Sequence, residues 1–163
     1  MTGTAGDNFV AGAAECGSIR AMSYHDLPPD VRSIPLTGTV FQSDVIDLIL
    51  DLDQRRGGAL ALMLCDQADR GLQPIVLSDL PPDAPATELR ALLDLLLPMV
   101  GEDDGAVLIG RGRRRGLAPS DTDRAWHQEA LEACQRHGVR LLGFYLASPD
   151  GVESMPEPLP RAG

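Results

Sequence analysis

The chain has 163 residues, which is enough for one globular domain with a substantial core. Hydrophobic residues make up 44% of it and aromatic residues only 4%, so the core must be built from aliphatic side chains and alanine. The formal net charge of −10 argues against general binding to nucleic acid or to an anionic membrane, because both carry negative charge.

The residue types also bear on the cellular setting. The sequence contains no lysine, and together with its abundant alanine, glycine, proline, leucine and aspartate this points to a GC-rich bacterial genome. Cys16, Cys65 and Cys134 are an odd, scattered set and do not form a disulfide framework. No signal-peptide pattern opens the sequence, and no apolar run approaches the ~18 residues that cross a membrane. A cytoplasmic protein is therefore expected.

Three regions follow from the pattern along the chain. Residues 1–36 have no sustained hydrophobic period and predict a mobile or loosely docked arm. Residues 37–156 predict a single α/β domain, and residues 157–163 form a proline-rich tail. No internal repeat is present.

The first half of the domain predicts helix, hairpin and helix. A helix is expected over 39–56, with Thr39 and Gln42 at capping-box spacing and two glycines after its end. A continuous apolar strand at 59–66 turns at 67–71 into a returning strand at 72–80, where Pro74 indicates a sheet edge. A leucine-rich helix then begins near Pro85, and Pro98 should end or kink it. The buried stripe of the first helix is expected to be Phe41, Val45, Leu48, Ile49 and Leu52.

The second half of the domain predicts a crossover. A short strand at 106–109 leads through a loop into a helix at 120–137, which Gly138 ends, and a strand follows at 139–147. The tight-turn signal at 148–151 indicates that 152–155 pairs back as a last short strand. The order is α-β-β-α-β-α-β, which predicts a mixed sheet flanked by helices.

The glycine- and arginine-rich loop before the last helix holds the only concentrated chemistry in the sequence. Ser120 and Asp123 have the spacing of a helix cap, so the hydroxyl should accept from the amide of residue 123. The candidate partner-binding or anion-binding residues of this segment are Arg111, Arg113, Arg114, Arg115, Ser120 and Asp123.

Three short segments follow one another in this region: Gly110-Arg111-Gly112-Arg113, then Ser120-Asp121-Thr122-Asp123, then Gly138 before the strand VRLLGFYLA. In order and spacing they resemble the metal-dependent JAB/MPN domain of RadC-type proteins. That family carries His-x-His-Pro at a strand end, Ser-x-x-Asp at a helix start, and a glycine before its next strand. The motif resemblance covers 110–146, and the element order extends it to roughly 40–155. The strand order that it implies is JAB/MPN-like or cytidine-deaminase-like.

The family's two metal-binding histidines fall on Gly110 and Gly112 of this chain. Catalytic zinc needs about three protein ligands, and one carboxylate does not supply them. The resemblance therefore implies a relative without the metal site, with no metal, cofactor or catalytic residue. The chain also resembles a group of small, uncharacterised actinobacterial α/β proteins, through the turn Asp79-Leu80-Pro81-Pro82 and the segment from Asp123 to Trp126.

Three interpretations of the arginine loop stay open at this point. The first is a solvated surface loop, which is what most loops are. Its G-x-G-x-x-x-G pattern between strand and helix could hold phosphate, although Asp121 and Asp123 would repel an anion there. Its arginines could instead contact an acidic surface, either of a partner or of the chain's own arm.

Other candidate sites have simpler explanations. Cys134 and His137 stand three apart on one helix, but nothing at metal-ligand spacing accompanies them, so packing at the helix end is expected. The nucleophile motif G-x-S-x-G is missing from the sequence. His127 is expected on the surface, and Trp126 is expected to anchor the core or an interface, with a partner for its indole N–H.

These observations favour a non-catalytic α/β interaction or regulatory domain. Its expected partner is another protein or a second copy of the chain, with membrane and nucleic acid disfavoured. The alternative is a divergent enzyme or a binder of a phosphate-containing small ligand at residues 110–123.

Overall fold

The computed structural model describes residues 18–21 and 32–156 of the chain. The helices are α1 (Thr39–Ile49), α2 (Leu52–Gly57), α3 (Ala86–Glu102) and α4 (Asp121–His137). The strands are β1 (Ser18–Ala21), β2 (Ala59–Cys65), β3 (Gly71–Ser78), β4 (Ala106–Gly112), β5 (Arg140–Ser148) and β6 (Gly151–Ser154).

Strands β2 to β6 form a mixed sheet, which β1 extends at one edge in the order β1-β3-β2-β4-β5-β6. Neighbours are antiparallel except β4 and β5, which are parallel and joined by α4. Leu60 and Leu62 of β2 face a core shared with α3 and α4, whereas Ala61 and Met63 face a core shared with α1. The predicted single α/β domain with a mixed sheet and flanking helices is confirmed. The topology does not establish a JAB/MPN-like or cytidine-deaminase-like order.

The start of the domain differs from the predicted single helix at 39–56. The helix stops at Ile49, and Asp51 begins α2 with a complete capping box, accepting from the amide of Gln54 while its own amide donates to the Gln54 side chain. The Asp51 capping box lies inside the segment predicted as one helix, so one helix ends before it and a second begins there. Leu48 and Leu52, expected in the buried stripe, are each 48% exposed, and Ile46 is buried instead.

The capping box predicted for Thr39 and Gln42 is wrong. Gly38 precedes α1 and no side chain caps the helix. The Gln42 side chain is buried, where its amide donates to the Leu36 carbonyl at 2.8 Å and its oxygen accepts from the Tyr145 hydroxyl at 2.6 Å. Gln42 thus joins α1 to β5 and to the segment before the helix.

The hairpin of β2 and β3 is confirmed, with all of β2 buried. Pro74 lies next to the four residues of β3 that pair with β1. The residues that follow β1 are outside the described part of the chain, so the sheet edge at Pro74 stays a prediction. Helix α3 does not end at Pro98 but continues to Glu102. No helix in the described parts of the chain combines the length and hydrophobicity that a bilayer crossing needs.

The predicted arm and tail fall mostly outside the described residues. Within 1–36 the structure describes 18–21, which pair with β3, and 32–36, in which Leu36 is buried. The mobility of the arm otherwise stays a prediction. Residues 157–163 of the proline-rich tail are outside the described part.

Candidate functional site

A cleft of about 370 Å³ lies at the end of the sheet where β4 finishes and β2 begins. Its walls come from the α2–β2 junction, the turn after β3, the segment after β4 and the first turn of α4. The arginines that line it are Arg56, Arg111, Arg113, Arg114 and Arg115. The cleft therefore gathers a large share of the 14 basic residues of a strongly acidic chain.

The segment 110–112 is strand and not loop, contrary to the sequence-based prediction. Strand β4 runs to Gly112 and all seven of its residues are buried. A Cβ on Gly110 would lie 2.8 Å from a methyl carbon of Ile46, and one on Gly112 would lie 3.2 Å from the Arg55 Cα. These glycines are explained by helices packed closely on the strand, since a larger side chain would require the helices to move.

Arg111 projects from β4 towards the opposite face and is 7% exposed. Its Nη2 donates to the Pro82 carbonyl at 3.0 Å, and its Nε lies 3.0 Å from Oδ1 of Asp123. The guanidinium carbon lies 4.4 Å from the ring centroid of Trp126, within range of a cation–π contact. Burial lowers the pKa of Arg111, while Asp123 opposes this effect and Arg113 reinforces it. Arg111 is a structural cation in the wall of the cleft.

Asp123 is only 1% exposed and its carboxylate is fully engaged. Besides Arg111, it contacts Nη1 of Arg113 at 3.3 Å and accepts from the Ser120 amide at 2.8 Å. The Ser120 hydroxyl accepts in turn from the Asp123 amide at 3.1 Å, which confirms the predicted cap. Ser120 and Asp123 hold α4 against β4 and offer few free lone pairs to a ligand.

The loop after β4 is fixed at two further points. Nη1 of Arg113 donates to the Ala118 carbonyl, and the amide of Gly116 donates to the Asp150 carboxylate at 2.8 Å. Gly116 has a φ of 75°, a left-handed conformation that glycine adopts without strain. Arg114 and Arg115 lie between these points and are exposed. Within the described chain, neither makes an ion pair.

Arg56 belongs to the same cleft, although the sequence analysis did not select it. Its side chain is 56% exposed and its only ion pair among the described residues is a long one, 3.6 Å to Asp53. The order β2–β4 in the sheet places the end of α2 beside the end of β4. That neighbourhood joins residues about fifty positions apart, so no local sequence signal could have found it. Arg56, Arg114 and Arg115 are the accessible cations of the cleft.

Trp126 and His127, two ring-bearing residues of α4, are both buried. Trp126 is buried and its indole N–H donates to the Ala84 carbonyl at 2.8 Å, as predicted for an anchor of the core. The prediction that His127 lies on the surface is wrong: it is 7% exposed, and its ring centroid lies 5.1 Å from that of Phe144. The side of α4 that looks polar in sequence faces β5.

The cysteines and His137 do not form a metal site in the described residues, where no group of three or more possible ligands comes together. Cys65 and Cys134 are buried, as predicted, and burial raises the pKa of each to about 12. Nε2 of His137 lies 2.7 Å from Oδ1 of Asp94 on α3. This contact supports the expected role in packing at the helix end.

Comparison of the chain with protein-family models, with curated proteins and with solved structures found no match. The resemblance to the JAB/MPN domain accordingly stays a hypothesis. The fold and the site together define a single α/β domain with an arginine-lined cleft at one end of its sheet.

Proposed function

We propose that this protein is a non-catalytic interaction or regulatory domain, which takes a carboxylate-rich segment of a protein partner into the arginine-lined cleft. The observation that carries this proposal is the placement of five arginines around one cleft in a chain of net charge −10. Arginines spread evenly over the surface would each have offset nearby acidic residues and would have left no positive patch. Their concentration favours a local anion-binding surface.

Two polar side chains of the cleft, Ser120 and Asp123, are already committed to structural contacts, which supports a role without catalysis. A nucleophile needs a neighbouring base that is free to take its proton. The Ser120 hydroxyl accepts from the Asp123 amide, and the Asp123 carboxylate faces Arg111 and Arg113. A hypothetical relation to the JAB/MPN domain agrees with this role, because Asp123 would then meet guanidinium groups in place of a metal.

Arg114 and Arg115 are suited to carboxylates because a guanidinium offers two parallel N–H donors to one carboxylate. The overall negative charge does not prevent such binding. At physiological ionic strength the Debye length is about 8 Å, so distant acidic residues are screened while contacts inside the cleft are not. The fixed loop also reduces the ordering cost on binding.

Fluorescence anisotropy of a labelled oligoglutamate peptide tests this proposal. The unmodified protein should bind the peptide, and Arg114→Glu should weaken binding by about tenfold, which corresponds to about 1.4 kcal/mol. Arg124→Glu is the matched control, because Arg124 is exposed, makes the same charge change and does not line the cleft. Equal binding by the two variants, or none by the unmodified protein, would refute the proposal.

A phosphate-containing small ligand is the second candidate, because the cleft is concave and partly lined by glycine backbone at Gly57, Gly58 and Gly112. Its volume is within the ~300–1,000 Å³ typical of small-ligand sites. Asp83 also lines it and would repel a multiply charged phosphate more strongly than it repels a singly charged carboxylate. Pyrophosphate, ATP and sugar bisphosphates should raise the melting temperature if this candidate is correct. A flat response to all of them would eliminate it.

A further inference from the structure

A second surface of the molecule lies at the other end of β2. It is a groove of about 660 Å³ between the β2–β3 hairpin and the end of α3. Leu72 and Met99 line it and are 45% and 58% exposed, so the groove presents two large apolar side chains to solvent. Carboxylates surround these apolar side chains: Asp66, Glu102, Asp103 and Asp104. We call this surface the acidic groove.

Part of the acidic charge is already used within the molecule. Asp66 pairs with Arg70 at 3.2 Å, and Arg70 is the only arginine that lines the groove among the described residues. Glu102, Asp103 and Asp104 are exposed at the end of α3 and make no ion pair in the described chain. The groove therefore combines exposed apolar side chains with three carboxylates that make no ion pair in the described chain, although the Arg140 guanidinium donates to the Asp104 carbonyl nearby.

The cleft and the groove lie at opposite ends of one strand. Ala59, the first residue of β2, lines the arginine cleft, and Cys65, the last, lines the acidic groove. A strand rises about 3.3 Å per residue, so the two surfaces are about 20 Å apart. The positive and negative surfaces of one molecule are thus too far apart to contact each other.

We propose that the two surfaces bind each other between copies: the arginine loop of one copy, carrying Arg114 and Arg115, docks in the acidic groove of the next. This inference rests on the proposed function and names its partner as a second copy of the chain. Leu117, two residues after Arg115, packs against the core of its own molecule and so holds the loop in place. The exposed arginines of the loop and the exposed carboxylates of the groove are complementary in charge.

An interface of this type is heterologous, because one surface meets a different surface. A bound pair of copies keeps one free loop, on one copy, and one free groove, on the other, so association continues in a head-to-tail manner and does not stop at a two-fold dimer. The exposed ion pairs are sensitive to screening by salt. The assembly should lengthen with protein concentration and dissociate as ionic strength rises.

Sedimentation velocity of the full chain over a range of concentrations, at about 50 mM and about 500 mM salt, provides the test. We expect concentration-dependent species larger than a dimer at low salt and monomer at high salt. Arg115→Glu and Asp103→Arg change the loop and the groove separately. Each variant alone should stay monomeric at low salt, whereas a mixture of the two should associate again, because every loop then finds a groove of suitable charge.

Arg124→Glu and Asp44→Arg make the same charge changes at exposed positions outside both surfaces and should assemble like the unmodified protein. Thermal melting of all four variants reports whether each is folded, and the loop and groove variants provide independent tests. Monomer at every concentration, a closed two-fold dimer, or a mixture that stays monomeric would each overturn the inference.

The peptide-binding and sedimentation experiments together distinguish a failure of this inference from a failure of the proposed function. If oligoglutamate binds with the expected dependence on Arg114 while the unmodified protein stays monomeric, the cleft binds acidic segments and the partner is a different protein. If the peptide does not bind, the proposed function itself is wrong. If both hold, oligoglutamate should also dissociate the assembly, because it occupies the same loop.

Discussion

Nε of Arg111 lies 3.0 Å from Oδ1 of Asp123, and both side chains are almost completely buried. The first belongs to the end of β4 and the second to the first turn of α4. The pair therefore fixes the helix to the strand at the wall of the cleft. Trp126 covers the Arg111 guanidinium from one side and so excludes water from the pair.

Asp123→Asn should strongly destabilise the protein. The asparagine can still accept from the Ser120 amide, but Arg111 is left buried and cannot lose its charge. Breaking one partner of a buried pair costs about 3 kcal/mol or more in the free energy of unfolding. Urea denaturation measures this loss. Asp121→Asn, at an exposed position in the same helical turn, should change stability little, and similar losses in both variants would contradict the assignment.

Histidines at the two glycines of β4 should not create a zinc site. In the double variant Gly110→His, Gly112→His the new side chains would meet Ile46 and the backbone of Arg55 and Ala59. Overpacking of this kind costs about 2 kcal/mol or more. Melting curves with and without zinc should show a less stable protein that zinc does not rescue, whereas Arg114→His should be neutral. Zinc-dependent stabilisation of the double variant would support a relation to the metal-dependent JAB/MPN domain.

The thiols of Cys65 and Cys134 should be unreactive in the folded protein. Burial raises the pKa of each to about 12, and the thiolate is the reactive form. In a Cys16→Ser variant, a thiol-specific disulfide reagent near pH 8 should react only after urea is added. Adding an exposed cysteine through Asp44→Cys gives the positive control.

The same pKa shifts predict a loss of stability in alkali. These groups have higher pKa values in the folded than in the unfolded chain, where the usual value is 9.0. Their contribution is therefore complete below pH 9 and is lost as the pH rises towards about 12. Replacing both with alanine should flatten this part of the stability profile. If stability falls just as steeply with rising pH in the alanine variant, the two thiols are not the cause of the loss.

Asp94 should contribute stability that acid removes. The His137 ring and the Arg136 guanidinium hold the pKa of the Asp94 carboxyl below its usual range. A lowered folded pKa gives stability that is present above about pH 4 and is lost as the pH falls through the folded value. Urea midpoints of the unmodified protein and Asp94→Asn should therefore converge in acid. In about 1 M salt the two midpoints should already be closer together at neutral pH, because salt screens a pair that is exposed to solvent.

The sequence predicted well wherever the cause of a structure is local. Ser120 and Asp123 are three residues apart, and their cap forms as expected. Gly138 ends α4 in the left-handed conformation that its position suggested. The continuous apolar run of β2 predicted that both faces of the strand are buried, and all seven of its residues are buried.

What the sequence did not predict depends on neighbours that are distant along the chain. Gly110 and Gly112 look like loop glycines until Ile46 and Arg55 are packed over them. His127 looks exposed until β5 is placed beside α4 and Phe144 meets its ring. Arg56 joins the cleft only because β2 and β4 are adjacent in the sheet. Packing of helices on the sheet decides the first two cases and pairing of strands decides the third, and the period of one segment reports none of them.

Pro74 limits the length of β3 along which another chain could pair, and so opposes aggregation. It directly precedes the residues of β3 that β1 covers, and its ring nitrogen has no hydrogen to donate to an added strand. A protease that removed β1 would uncover the backbone of Ile75–Ser78 and create a place for another chain to pair. The growth of such a pairing towards Gly71 would still stop at the proline. The rate at which proteolytically trimmed protein aggregates should therefore depend on Pro74.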